Sequence, residues 1–159
     1  MKKIFLFVAL FATTFGQFSF AQDNTNHNNV APLLDNYYSV KDALIASNST
    51  DAAANAAAFK TTINTISVEN LPETSRTALL KDVDAISSTK DIEKQREAFS
   101  SFSEDMLLLV KTTPLTTDPI YKTYCPMKKT IWLSKETAIK NPYFGSSMLT
   151  CGKVTETIK

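Results

Sequence analysis

Four soft sulfur donors stand close together near the end of the chain: Cys125 and Met127 in Tyr124-Cys125-Pro126-Met127, and Met148 and Cys151 in Met148-Leu149-Thr150-Cys151. Thiolate and thioether sulfur select Cu(I) and Ag(I) over hard cations, so a Cys-Met-Met-Cys set suits those two ions. The spacing agrees. Residues two apart on an extended strand share a side, which pairs Cys125 with Met127, and residues three apart on a helical turn do the same for Met148 and Cys151. A turn at Gly145 would let the four sulfurs converge on one ion, and the ring face of Trp132 could cover it. Trp132 is also the only tryptophan of the chain, and reads first as the anchor of this tail on the rest of the protein.

The cysteines have a second reading, which depends on where the chain goes. Lys2 and Lys3 precede an apolar run that ends in Ser19-Phe20-Ala21, the pattern of an export signal with small residues at the cleavage site. Residues 1–21 are therefore expected to be removed, leaving a soluble periplasmic or secreted protein that begins at Gln22. The competing reading, a membrane anchor, is opposed by Thr13, Thr14 and Gln17 within a short run. In an oxidising compartment two cysteines form a disulfide by default. A Cys125–Cys151 bridge would close a loop of about 27 residues and stabilise the fold by roughly 3 kcal/mol. A disulfide and a sulfur-bound ion exclude each other, because the bridge consumes both thiolates.

Other chemistry is poorly provided for. The one histidine, His27, lies in the amide-rich segment Gln22–Ala31, where it reads as a solvated linker residue or, at most, an auxiliary ligand. No histidine follows it to activate a nucleophile, no Cys-x-x-Cys pair occurs, and the three glycines make no phosphate loop. Asp82 with Asp84, and Glu93 with Glu97, read as solvated helix faces. No catalytic residue and no enzyme activity are expected. The signal carries two of the 17 basic groups, so the remaining 15 nearly balance 16 acidic ones; a near-neutral chain has no electrostatic footprint for nucleic acid or, once the signal is removed, for a membrane.

The elements that must position the sulfur are mostly helical. After a polar lead-in over 22–32, apolar residues recur at helical spacing in four segments: Leu34, Tyr37, Tyr38, Leu44 and Ile45; Ala52, Ala56, Phe59, Ile63 and Ile66; Leu79, Leu80, Val83 and Ile86; and Ile92, Gln95, Phe99, Phe102, Met106 and Leu109. Asn48-Ser49-Thr50-Asp51 and a capping box in Ser88-Thr89-Lys90-Asp91 start the second and fourth helices; Pro72 opens the third, and Pro114 and Pro119 end the region. Short connections predict a mainly α, up-and-down four-helix bundle over 33–113. The tail, 114–159, reads as a small hairpin, Ile120–Cys125 with Thr130–Leu133, then a short helix capped by Ser134 and stopped by Asn141-Pro142, packed as a subdomain on the bundle.

Asp91-Ile92, Gln95-Arg96 and Phe99, then Tyr124-Cys125-Pro126-Met127, Trp132-Leu133-Ser134, Asn141-Pro142-Tyr143-Phe144-Gly145, Met148-Leu149 and Cys151-Gly152 resemble an uncharacterised exported helical domain family. Its members occur alone or appended to the periplasmic adaptor subunits of heavy-metal efflux pumps. Tyr-Cys-Pro-Met also resembles the opening of a heavy-metal-binding motif of such adaptors, in which histidine follows the methionine; Lys128 stands there in this chain. The resemblance implies a part in copper or silver handling, with components of an efflux complex as partners. The expected function is a non-enzymatic soft-metal binding or efflux accessory protein; the alternative is a disulfide-stapled interaction module with no metal of its own.

Overall fold

A computed structural model describes residues 30–159. The expected export signal, most of the expected lead-in and His27 lie outside the described residues. Four helices come first: α1 (Ala31–Ile45), α2 (Ser49–Thr65), α3 (Glu73–Ser87) and α4 (Ile92–Thr112). Each seam expected from the spacing is largely buried, with Ile45, Leu80 and Ile92 only half-buried. Ala52, Ala56, Phe59, Ile63 and Ile66 line α2's inner side, and Phe99, Phe102, Met106 and Leu109 that of α4. Each helix packs chiefly on its neighbour in sequence, and α4 also reaches α1 and α2.

Local chemistry sets the helix ends. Asn48 caps α2 by accepting from the Asp51 N–H at 3.1 Å. Pro72 precedes α3, as a residue without an N–H can at a helix start. At α4 the expected capping box gives way to a simpler device: Asp91 itself accepts from the N–H groups of Glu93 and Lys94, while Thr89 accepts from the Asp91 N–H. The third residue into α4 is Lys94, which cannot return the bond that a reciprocal box requires.

Two buried side chains, a guanidinium and an amide, close the chain between helices. Arg76 donates to the carbonyls of Ile63 and Ile66, the last turn of α2 and the residue after it, and so satisfies oxygens that helix geometry leaves bare. Gln95, fully buried, donates to the carbonyls of Ser49, Ile86 and Thr89 and ties three segments together. Arg96 reaches further, as described below.

The tail holds three strands: β1 (Ile120–Cys125), β2 (Thr130–Ser134) and β3 (Lys153–Ile158), in the order β2-β1-β3 and antiparallel throughout. The hairpin is as expected; β3 is an addition to it, with a register shift between Lys122 and Thr123. The expected helix from Ser134 to Ile139 is absent. Ser134 instead ends β2 opposite Tyr121, and its hydroxyl accepts from the Glu136 N–H at 3.1 Å, turning the chain without starting a helix. The one helical piece is a 3-10 turn, Gly145–Met148.

The two edges of this sheet are treated differently. On β2, the Tyr37 hydroxyl of α1 accepts from the Leu133 N–H at 2.9 Å and shares a second hydrogen bond with Ser103 of α4, while the Tyr143 hydroxyl donates to the Ile131 carbonyl. Burial pushes both phenols well up from their ordinary pKa, which keeps them neutral and able to donate. An edge sealed this way cannot pair with another strand. β3 lies largely exposed on the other side.

Candidate functional site

The cysteines meet where β1 ends and β3 begins. Tyr124 pairs with Lys153, so Cys125 lies level with Gly152 on the neighbouring strand and Cys151 one residue beyond. Gly152 allows that approach, because a Cβ there would stand 2.6 Å from Trp132 Cη2 and 3.2 Å from the Tyr124 carbonyl. Cys125 is fully buried and Cys151 half-buried, and both are free thiols. Partial burial pushes the Cys151 thiol up from its ordinary pKa, and the neighbouring Cys125 thiol, by charge and by hydrogen bonding, pushes it the same way.

One residue organises the pair. The Asn141 side-chain amide donates to Cys125 Sγ at 3.3 Å and to the Cys151 carbonyl at 2.6 Å, while its oxygen accepts from the Tyr143 N–H at 2.8 Å. Its main chain is engaged too, the N–H on Leu149 O and the carbonyl on Gly145 N–H. A completely buried amide must spend its donors and acceptors inside the protein, and Asn141 spends them on the end of β1 and on the loop that leads to Cys151. Asn141-Pro142 reads in the sequence only as a helix stop. Partners ten and sixteen residues away leave no local pattern from which this role could be read.

The loop is pinned to the helices through Arg96. This buried guanidinium donates to the carbonyls of Pro142 and Leu44, to the Ser47 hydroxyl and to Glu93, joining tail, α1 and α4. Gly145 fits beneath it with a φ of +53°; a Cβ there would come within 2.7 Å of Ser47 Oγ and 2.8 Å of the Arg96 guanidinium. Both the positive φ and the lack of room demand glycine. The expected turn at Gly145 is present, and it brings Cys151 back to Cys125.

The methionines are placed differently from the thiols. Met127, in the turn between β1 and β2, is 63% exposed, and Met148, at the end of the 3-10 turn, is 37% exposed. Both turns lie at the same end of the tail, linked by the Lys128 ammonium 5.7 Å from the centre of the Phe144 ring. Trp132 is buried against Tyr143, ring centres 6.1 Å apart, and extends an aromatic chain through Phe99 to Tyr37 and Phe102. Its Cη2 nevertheless comes close to Gly152, the residue after Cys151. Among the described residues no group of three or more His, Cys, Asp or Glu side chains is placed to hold a metal.

The model of a family described as "protein of unknown function (DUF3347)" matches residues 33–118, more than half of the chain. The chain belongs to that family. The DUF3347 match spans the four helices and ends just before β1, so the cysteines, the methionines and Asn141 lie beyond the matched segment. No curated protein and no solved structure matches the chain. Among the described residues, no helix is long and apolar enough to cross a membrane.

Proposed function

We propose that this is an exported, non-enzymatic protein that binds a soft monovalent ion, Cu(I) or Ag(I), at Cys125 and Cys151, with Met127 and Met148 as further donors and Trp132 beside them. The helices, taken as an up-and-down bundle, serve as the rigid support, and components of a heavy-metal efflux complex are the partners that the family resemblance suggests. The observation that carries the reading is the juxtaposition of two thiols at the end of β1, with an N–H donor aimed at the buried one. A hydrogen bond into a ligating sulfur orients it and tempers its charge, as outer-shell partners of metal ligands do. Met127 and Met148 are both exposed, so their thioethers are open to an arriving ion, as half-buried Cys151 is in part.

The test is competition for Cu(I) between the reduced protein and a chromophoric chelator. Retention of about one ion per chain, lost in Cys125→Ser/Cys151→Ser and weakened in Met127→Leu and Met148→Leu, is the expected result for a compact two-to-four sulfur site. Equal retention by the wild type and the double-serine variant would remove the ion from the reading. A second reading, that of a stapled interaction module, draws on the burial of Cys125 beside Cys151. Counting free thiols by alkylation of protein from its native compartment separates the two, since a staple leaves none to block.

A further inference from the structure

The two thiols are neighbours with unequal access. Cys125 is 0% exposed and held by the Asn141 amide, whereas Cys151 is half-buried and follows a run, Ser146 to Thr150, that is exposed throughout. Thiol–disulfide exchange requires the attacking sulfur to reach a disulfide sulfur nearly in line, so access decides which cysteine reacts first.

We propose that Cys125 and Cys151 form a thiol–disulfide couple in which Cys151 is the attacking thiol and Cys125 the resolving thiol, so that a disulfide oxidant closes the soft-ion site and a dithiol reductant reopens it. The closing of the site rests on the soft-metal reading above; the order of the two thiols does not.

The chemistry balances as follows. Cys151 gives its proton to water, and its thiolate attacks one sulfur of the oxidant's disulfide. That bond breaks, one half of the oxidant leaves as a thiolate and takes up a proton, and the other half remains on Cys151 as a mixed disulfide. Cys125 then loses its proton and attacks Cys151 Sγ. The intrachain bond forms, and the second half of the oxidant leaves as a thiol. Two electrons have passed from the cysteines to the oxidant. Asn141 contributes at the second step, because its N–H already points at Cys125 Sγ and the bond strengthens as that sulfur becomes anionic.

The experiment uses the full chain and oxidised glutathione, followed by intact mass. Cys125→Ser should accumulate one glutathione per chain, at Cys151. Cys151→Ser should react about tenfold more slowly or worse, since its remaining sulfur is enclosed. The wild type should finish as the intrachain disulfide with no glutathione retained. Reaction of Cys151→Ser as fast as Cys125→Ser, or a wild type that keeps its glutathione, would overturn the order.

The unaltered protein gives a second measurement, should a serine variant fold poorly. Sub-stoichiometric iodoacetamide followed by peptide mapping should label Cys151, and label on Cys125 in equal or greater amount would refute the proposal. Cu(I) retention before and after oxidation completes the set. A reduced chain that retains no Cu(I) while its thiols react in the stated order defeats the soft-metal reading and leaves the couple standing. Retention that survives oxidation defeats the closing of the site.

Discussion

The helices and the tail solve the same problem, how to hold a buried polar group, in opposite ways. Within the helices the buried donors are long cationic or amide side chains, Arg76 and Gln95, that bond backbone carbonyls at segment ends and leave the seams apolar. In the tail the roles pass to short or rigid groups: the Tyr37 hydroxyl, which reaches over from α1, and the Tyr143 hydroxyl and Asn141 amide of the tail's own loop. The difference teaches where stability is local and where it is borrowed. The helices bury their own faces, whereas the tail adds to its buried β2 the grip of particular side chains on α1 and α4 that meet its backbone.

The comparison can be broken at the one residue that spans both regions. Arg96→Ala removes four hydrogen bonds and leaves the Leu44 and Pro142 carbonyls without their buried donor; it should destabilise by about 3 kcal/mol in urea unfolding, with Arg96→Lys recovering little. A loss well under 1 kcal/mol would show that the tail stands on its own.

A second measurement sharpens the helical side. Asp82 of α3 is 7% exposed, and one of its oxygens has no hydrogen-bond partner. Burial, then the hydrogen bond and charge of Asp105 on α4, raise its pKa from 3.8 to about 7, while Lys81 opposes the shift. A carboxyl raised in the folded state binds its proton more tightly there than in the unfolded chain. The stability it contributes is full below about pH 4 and is lost as pH rises through about 7. The loss should amount to about 2 kcal/mol, moderated by water in the cleft that Asp82 shares with Glu104 and Asp105. Asp82→Asn should flatten this dependence, and a wild type whose stability is constant from pH 4 to 8 would refute the assignment.

On the tail side, Gly145→Ala places a methyl group against Ser47 and Arg96 at a positive φ, and should cost about 2 kcal/mol or slightly less. Thermal unfolding measures it, and an unchanged midpoint would mean the tail can shift away from the helices freely. The smallest effect is expected at the sealed edge. Tyr37→Phe should cost about 1 kcal/mol and raise hydrogen exchange at the Leu133 amide more than at amides of α2. Uniform exchange across both regions would remove the distinction between them.

The same contrast explains what could be read from the sequence. The helices were legible because a buried stripe at helical spacing is written in neighbouring residues, as Ala52, Ala56, Phe59 and Ile63 show. The first two strands were legible for the same reason, from runs such as Thr130-Ile131-Trp132-Leu133. β3 was not: Lys153-Val154-Thr155-Glu156-Thr157-Ile158 has no buried face and becomes a strand only by pairing with β1. Ser134 misled because a serine before charged residues suits a helix start, yet the same hydroxyl can turn a chain leaving a strand. At the candidate site, the closeness of Cys125 and Cys151 followed from the turn at Gly145. The burial of one thiol, the exposure of Met127 and the part played by Asn141 depend on contacts distant in sequence.

The bond from Leu133 to the Tyr37 hydroxyl joins residues 96 positions apart. A ribosome releases Tyr37 with the first helix, long before β2 exists, and domains begin to form on the N-terminal portion while synthesis continues. That hydroxyl must then wait for its strand, so the sheet edge closes only after β2 has emerged. The thiols come together under the same constraint: Cys151 follows Leu133 off the ribosome, so the cysteine pair cannot assemble before the strand that Tyr37 awaits is available.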